Sequence, residues 1–219
     1  MSSWLELLTD NFDALASGFW VTLRLVVGAF LVAAVVGTLV AALRIAPSKW
    51  LQRLGGVYVE TFRNIPLLVL LIIAYSGLRR AGVPIGTWTA GIAALGLYTA
   101  AYVAEVLRSG VFAVSRGQVE AALSLGFDQR QTLRRIVLPQ AVRTVISPLG
   151  SITIAMIKNS AIVGAALAVN DLLKEARIIA SRTFETEAAF VCAAIGYLLL
   201  TIAATIAVRL LEQRYAIRR

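Results

Sequence analysis

Five apolar stretches, roughly 19–43, 62–79, 87–113, 141–169 and 187–210, leave this chain few ways to fold. About 20 apolar residues in helical form cross a bilayer core of about 30 Å. Inside lipid a helix also satisfies its own backbone donors and acceptors. The expectation is an all-α integral membrane protein with five transmembrane helices, one domain over 1–219. Only 15% of the 219 residues are charged and 59% are hydrophobic, whereas a soluble domain carries about 25% charge. The second stretch is short. The third and fourth are long enough to tilt, break or run beyond the core.

The polar residues between these stretches set the orientation. With the N-terminus outside, fourteen of the 21 Lys and Arg residues fall on the cytoplasmic side, among them Arg44, Lys49, Arg53, Arg108, Arg130, Arg134 and, in a basic C-terminal tail, Arg209, Arg214, Arg218 and Arg219. Five fall outside: Arg79, Arg80, Lys174, Arg177 and Arg182. Arg24 and Lys158 lie within spans. Positive charge favours the cytoplasmic side, so the reading is N-out and C-in. The net charge of +9 follows from topology, because the cations are scattered between spans rather than gathered on one face for nucleic acid. Residues 1–18 contain acids but no Lys or Arg, so the basic start of a secretory signal is missing and the first stretch is expected to be an uncleaved span. A single cysteine, Cys192, and no histidine exclude a disulfide framework and a Cys/His metal site. Residues 2–17 suit an amphipathic helix on the outer surface, 44–57 with Pro47 and Gly55-Gly56 suits a turn, and Asp171 is placed to cap a short external helix.

The cytoplasmic interruption at 118–139, QVEAALSLGFDQRQTLRRIVLP, has its own internal order. Gln118 to Leu125 are helix formers. Gly126 suits a left-handed stop, which glycine adopts without steric cost. Asp128 caps a second short helix, with Gln131 in capping-box position. Arg134 and Arg135 are expected near that helix's C-terminal end, where the dipole favours cations, and Pro139 is expected to close the unit. Glu120-Ala121-Ala122, Gly126, Ile136 and Leu138-Pro139 reproduce the spacing of the EAA loop, and the region resembles that loop in the membrane subunits of bacterial ABC importers. The resemblance implies that Glu120, Ala121, Ala122 and Gly126 form a coupling helix docking on a separate ATPase subunit.

Two further segments carry polar groups into apolar surroundings. Lys158-Asn159-Ser160 sits between two apolar runs; thirty residues from Gln140 to Val169 exceed one straight crossing, so a break near 158–164 is expected, with Gly164 helping it. A charge at such depth is costly and is read as functional, beside the substrate path; the alternative is a Lys158 that only snorkels to the outer interface. At Glu60-Thr61-Phe62-Arg63-Asn64-Ile65-Pro66, Pro66 would start or kink the second span. This segment is similar to the Phe-Arg-Gly-Thr-Pro-Leu stretch of permeases of the polar amino acid subfamily, with Asn64-Ile65 in place of Gly-Thr. The expected path residues are Lys158, Asn159, Ser160, Asn64 and Pro66. Glu105 with Arg108, and Glu60 with Arg63, are spaced for local ion pairs. Small residues such as Gly28, Ala33, Gly37, Gly91 and Gly96 are read first as close helix packing within the subunit.

The resemblance implies a permease subunit that catalyses no covalent reaction and holds no cofactor. Its implied partners are ABC ATPase subunits, a second permease subunit (identical or paralogous), an extracytoplasmic substrate-binding protein and membrane lipid. Its implied cargo is glutamate or another polar amino acid, moved across the bacterial cytoplasmic membrane. The dipeptide Gly-Lys is absent, so a Walker A loop is impossible and ATP would bind another chain. An ion-coupled carrier or channel acting without an ATPase is the alternative, and a non-conducting scaffold a third. The carrier is disfavoured by the lack of acids at mid-span.

Overall fold

Prolines divide the first half of the chain. A computed structural model describes residues 4–215, and the expected basic tail at Arg218 and Arg219 lies outside them. A short helix, α1 (Trp4–Asp10), precedes α2 (Phe12–Ile45), the first long span. The residue before a proline is driven out of the helical region. Ala46, before Pro47, is extended at φ −58°, ψ 150° and ends α2. Ile65, before Pro66, is extended at φ −97°, ψ 129° and ends α3 (Lys49–Asn64). The chain then turns by 102° into α4 (Leu67–Arg80).

The expected turn at 44–57 is therefore confined to Pro47 and its neighbours, and Lys49 onward is helix. Gly55 makes no turn. It lets α3 lie against α2, where a Cβ would meet the Arg44 side chain at 2.7 Å and the Val40 carbonyl at 3.3 Å. The second span likewise starts at Leu67 rather than at 62, because Pro66 cannot continue the helix before it. Residues 12–17 belong to α2 rather than to a surface helix spanning 2–17.

The remaining elements are α5 (Thr87–Phe112), α6 (Arg116–Ser124), α7 (Gln129–Leu167), α8 (Leu172–Thr183) and α9 (Thr186–Tyr215). Helices α2, α5, α7 and α9 are long and apolar enough to cross a membrane, and the count reaches five if α4 and the bent α3 before it are taken together as one span. Helix α2 packs along α5 through small residues: a Cβ at Gly37 would sit 2.7 Å from Val103, and one at Gly96 2.7 Å from Val32. That is the intrasubunit packing expected of them. Leu25, Leu71, Leu95, Met156 and Val163 fill the centre between α2, α4, α5 and α7.

The fourth span departs most from expectation. Helix α7 runs without a break through Lys158 and Gly164 to Leu167, and Ala168 ends it in the left-handed conformation at φ 57°. Its 39 residues measure about 58 Å at 1.5 Å per residue. No break shortens it between Gln129 and Leu167. The short helix capped by Asp128 therefore continues into the span, and Pro139 does not close it. The ladder widens instead to a π turn over Leu133–Val137, where the Leu138 amide donates to the Leu133 carbonyl. Arg134 and Arg135 accordingly stand inside a continuous helix rather than at its end.

At the opposite end of the bundle, α8 is locked down by a buried carboxylate. Asp171 is fully buried. Its Oδ1 accepts the Lys174 amide at 2.9 Å, capping α8, and its Oδ2 accepts the Tyr197 hydroxyl of α9 at 3.1 Å. Next to it, Thr22 of α2 accepts the Leu172 amide at 3.1 Å and donates to the Gly18 carbonyl. Gly164 supplies the room: a Cβ there would stand 1.9 Å from Asp171 Oδ1. Burial pushes the Asp171 carboxyl up to about 6, while the Lys174 amide and the Tyr197 hydroxyl pull the other way. Sequence spacing identified the cap, but not its burial.

Candidate coupling loop and translocation cavity

The helix–glycine–helix unit forms as the local sequence dictates. Helix α6 ends in a Schellman turn: the Phe127 amide donates to Ala122 O at 3.1 Å and Gly126 N to Leu123 O at 3.0 Å. Gly126 has φ +84°, a conformation that a side-chain-bearing residue adopts only at a steric cost. Asp128 then caps α7 with a complete capping box. The Gln131 amide donates to Asp128 Oδ1 at 2.7 Å, and the Asp128 amide to Gln131 Oε1 at 3.0 Å. A side-chain bond from Gln140 to Gln118 at 2.7 Å ties the two arms.

What this tip presents differs from residue to residue. Glu120, Ala121 and Gly126 are exposed, and Leu125 is 80% exposed. Ala122 is buried at 4%; it packs inward, so of the two alanines Ala121 alone offers close approach to another chain. Beneath the tip, Glu120, Leu123, Thr132, Leu133 and Val137 line a hollow of about 660 Å³.

Within the bundle the expected path residues separate. Lys158 is exposed on the outer face of α7, Asn159 lines a small cavity, and Ser160 is fully buried and donates to the Ile157 carbonyl at 2.7 Å. The cavity holding Asn159 measures about 240 Å³ and is also lined by Tyr98, Thr99, Tyr102, Ile152 and Met156. The hydroxyls of Tyr98 and Tyr102 lie 3.0 Å apart, and the Arg63 guanidinium stands over the Tyr102 ring at 5.3 Å. An amide, two phenols and a nearby cation thus converge. Neither Asn64 nor Pro66 lines the cavity. Asn64 donates to the Glu60 carbonyl at 2.7 Å, and Pro66 precedes the first turn of α4. The expected Glu60–Arg63 ion pair is replaced by the Arg63–Tyr102 stacking. The expected Glu105–Arg108 pair is present at 2.6 Å, and Arg44 joins the same carboxylate.

The tyrosines were the residues that sequence reasoning passed over. Their signal was there: phenols four residues apart, on one helix face, inside a span of small and apolar residues. A second, mainly apolar cavity of about 300 Å³ lies toward the loop end between α2, α5, α7 and α9, lined by Thr38, Val103, Leu149 and Val208 among others.

On α7 the exposed positions Thr144, Ser147, Ser151, Ala155 and Lys158 follow one another at three- and four-residue steps. Hydroxyls and an ammonium on the outer face of a spanning helix are unsuited to hydrocarbon. Such a face suits water or another protein chain.

Comparison with known proteins agrees with this architecture. Residues 16–217 match the family described as binding-protein-dependent transport system inner membrane component. The probable glutamine ABC transporter permease protein GlnM of Bacillus subtilis is 42% identical over 209 residues, 95% of this chain and 96% of that protein. The glutamate transport system permease protein GluC of Corynebacterium glutamicum is 36% identical, covering 97% of this chain and 99% of that one. A crystal structure of an amino acid ABC transporter with histidines superposes with a TM-score of 0.91 at 33% identity, over 98% of this chain and 99% of its own. The methionine ABC transporter MetNI, inward facing, shares the fold at 21% identity with a TM-score of 0.74. The chain belongs to the family of inner membrane components of binding-protein-dependent transport systems.

Proposed function

We propose that this chain is the permease subunit of an ATP-driven importer for a polar amino acid, of the glutamine or glutamate kind. The observation that carries the reading is similarity over nearly the whole chain to permeases of amino acid transporters, together with an intact, exposed helix–glycine–helix tip. The end bearing that tip is cytoplasmic, in keeping with the distribution of Lys and Arg. Glu120, Ala121, Leu125 and Gly126 meet the ATPase. Closure of the ATPase pair moves α6 and, through the continuous helix from Gln129 to Leu167, moves the cavity wall at Asn159. Continuity of α7 supports this coupling, since a rigid helix transmits displacement along its length.

The cargo passes beside Asn159, Tyr98 and Tyr102. The polar stripe of α7, from Thr144 to Lys158, faces the aqueous route or a second permease subunit, where Lys158 is solvated. An extracytoplasmic binding protein delivers the cargo at the α8 end. The test is to purify the assembled complex with its ATPase and measure ATP hydrolysis with binding protein loaded from a panel of amino acids. Stimulation by glutamine or glutamate is expected. Uptake that proceeds without any ATPase subunit would refute the reading in favour of a self-powered carrier.

A further inference from the structure

Helix α3 crosses the loop end of the bundle rather than the membrane, and its surface is divided lengthwise. Lys49, Arg53, Gly56 and Glu60 recur at helical spacing on one strip. Trp50, Leu54 and Val57 form the next strip, one residue or about 100° round, and they are 72%, 52% and 63% exposed. An exposed tryptophan and aliphatic strip beside a cationic one is the pattern of a helix lying in the headgroup region. The inner face is fixed against the bundle: Val59 is buried with Val40, Ala41 and Ala104, and the Tyr58 hydroxyl donates to the Leu97 carbonyl at 2.7 Å.

Between the cationic strip and the ends of α2 and α5 lies an open pocket of about 640 Å³. Arg44, Lys49, Arg53 and Arg108 line it, with Glu60 the one acid on its wall and Phe112 at its side. Arg44 and Arg108 share the single carboxylate of Glu105. The Arg108 guanidinium also lies over the Phe112 ring at 5.4 Å. Four cations thus face two carboxylates, and among the described residues Lys49 and Arg53 form no ion pair. The pocket has an excess of positive charge at the loop end of the bundle, and the exposed apolar strip beside it points to lipid.

We propose that this pocket binds the phosphodiester headgroup of an anionic phospholipid of the adjacent leaflet. Lys49, Arg53 and Arg108 contact the phosphate, and the acyl chains lie along Trp50, Leu54 and Val57. Basic pockets between spanning helices suit such headgroups. A free phosphate would be served by the cations alone and would not use the apolar strip. Because α3 joins the first span to the bent second one, bound lipid would also hold α3 against the bundle at the end that carries the coupling tip.

Brominated-tail phosphatidylglycerol tests this directly. In the full chain with Trp4, Trp20 and Trp88 changed to Phe, Trp50 is the sole tryptophan. Vesicles of phosphatidylcholine containing a brominated fraction of either phosphatidylglycerol or phosphatidylcholine are compared. The expected result is stronger quenching by the anionic lipid at equal mole fraction. Lys49→Gln and Arg53→Gln should each weaken that preference about fivefold, and the double variant should remove it. Both side chains are exposed, so folding is spared. Equal quenching by the two lipids in the parent chain would overturn the proposal, as would a preference surviving in the double variant. Suppression of the preference by millimolar inorganic phosphate would assign the site to free anions instead and would equally overturn it. A double variant that keeps the lipid preference but no longer binds the ATPase would identify a protein-docking surface and overturn it too. Should the tryptophan-replaced chain fail to fold, native mass spectrometry of the otherwise unmodified chain and of Lys49→Gln/Arg53→Gln gives the same decision. Phosphatidylglycerol retained by the first and lost by the second is the supporting result; equal retention overturns it.

Discussion

Replacing Gly164 by alanine sets a methyl group against the carboxylate of Asp171, and the cost can be worked from the contacts. The new Cβ would lie 1.9 Å from Oδ1 and 2.1 Å from Cγ, so the carboxylate must retreat by more than an ångström. Retreat breaks the cap on α8, worth about 1 kcal/mol, and takes a buried carboxylate oxygen away from the Tyr197 hydroxyl that it accepts from, at about 1–3 kcal/mol. The expected loss for Gly164→Ala is about 3 kcal/mol, before any residual overpacking. Asp171→Ala loses the same cap and the same tyrosine partner, for about 2–3 kcal/mol. The double variant lacks the clashing atoms, so the methyl at 164 costs little more there. Both changes together should cost about what Asp171→Ala costs alone, roughly 3 kcal/mol short of additivity. The assay is the midpoint of heat-induced loss of the monodisperse peak for the detergent-purified protein, compared at one heating rate because such unfolding is scan-dependent. Additive shifts, or a Gly164→Ala protein as stable as its parent, would refute the packing argument.

Four other outcomes follow from the same physical reading. Because the Asp171 carboxyl titrates at about 6 when folded, against 3.8 when exposed, its protonated form is the one folding favours. This group's contribution is therefore greatest below 3.8, falls as pH rises through about 6 and is flat above; Asp171→Asn should abolish that slope in melting midpoints measured from pH 4 to pH 8. Gly126→Val forces a β-branched residue to φ +84°, at about 1–2 kcal/mol, and should abolish uptake while membrane insertion persists; normal uptake would remove the coupling assignment. Asn159→Ala should depress uptake at least tenfold with assembly and basal ATP hydrolysis intact, whereas Lys158→Met, on the exposed face, should have the smaller effect. A larger loss from Lys158→Met would exchange their roles. A cysteine introduced at Asp128 in a Cys192→Ala background should stay unlabelled by an impermeant thiol reagent in intact cells, and labelling from outside would invert the topology.

How far the sequence reached depended on whether a feature is local. The spans follow from hydropathy, because lipid allows an apolar stretch little but a helix. The Gly126 turn, the Asp128 capping box and the stops at Ala46 and Ile65 follow from residues within five positions of one another, and all could be read from the linear chain or from its proline positions. The break expected near Gly164 was wrong because a length argument cannot tell a helix that bends from one that projects beyond the bilayer. The glycine there makes room for Asp171, seven residues on, and not for a kink. Only the tertiary structure decided that Asp171 is buried, because its burial needs Gly164, Thr22 and Tyr197 brought together from three separate helices. Only it separated Lys158, Asn159 and Ser160. Successive residues on a helix point about 100° apart, so adjacent letters in the chain face different surroundings, and helix packing alone fixes which of them meets the tyrosine cavity.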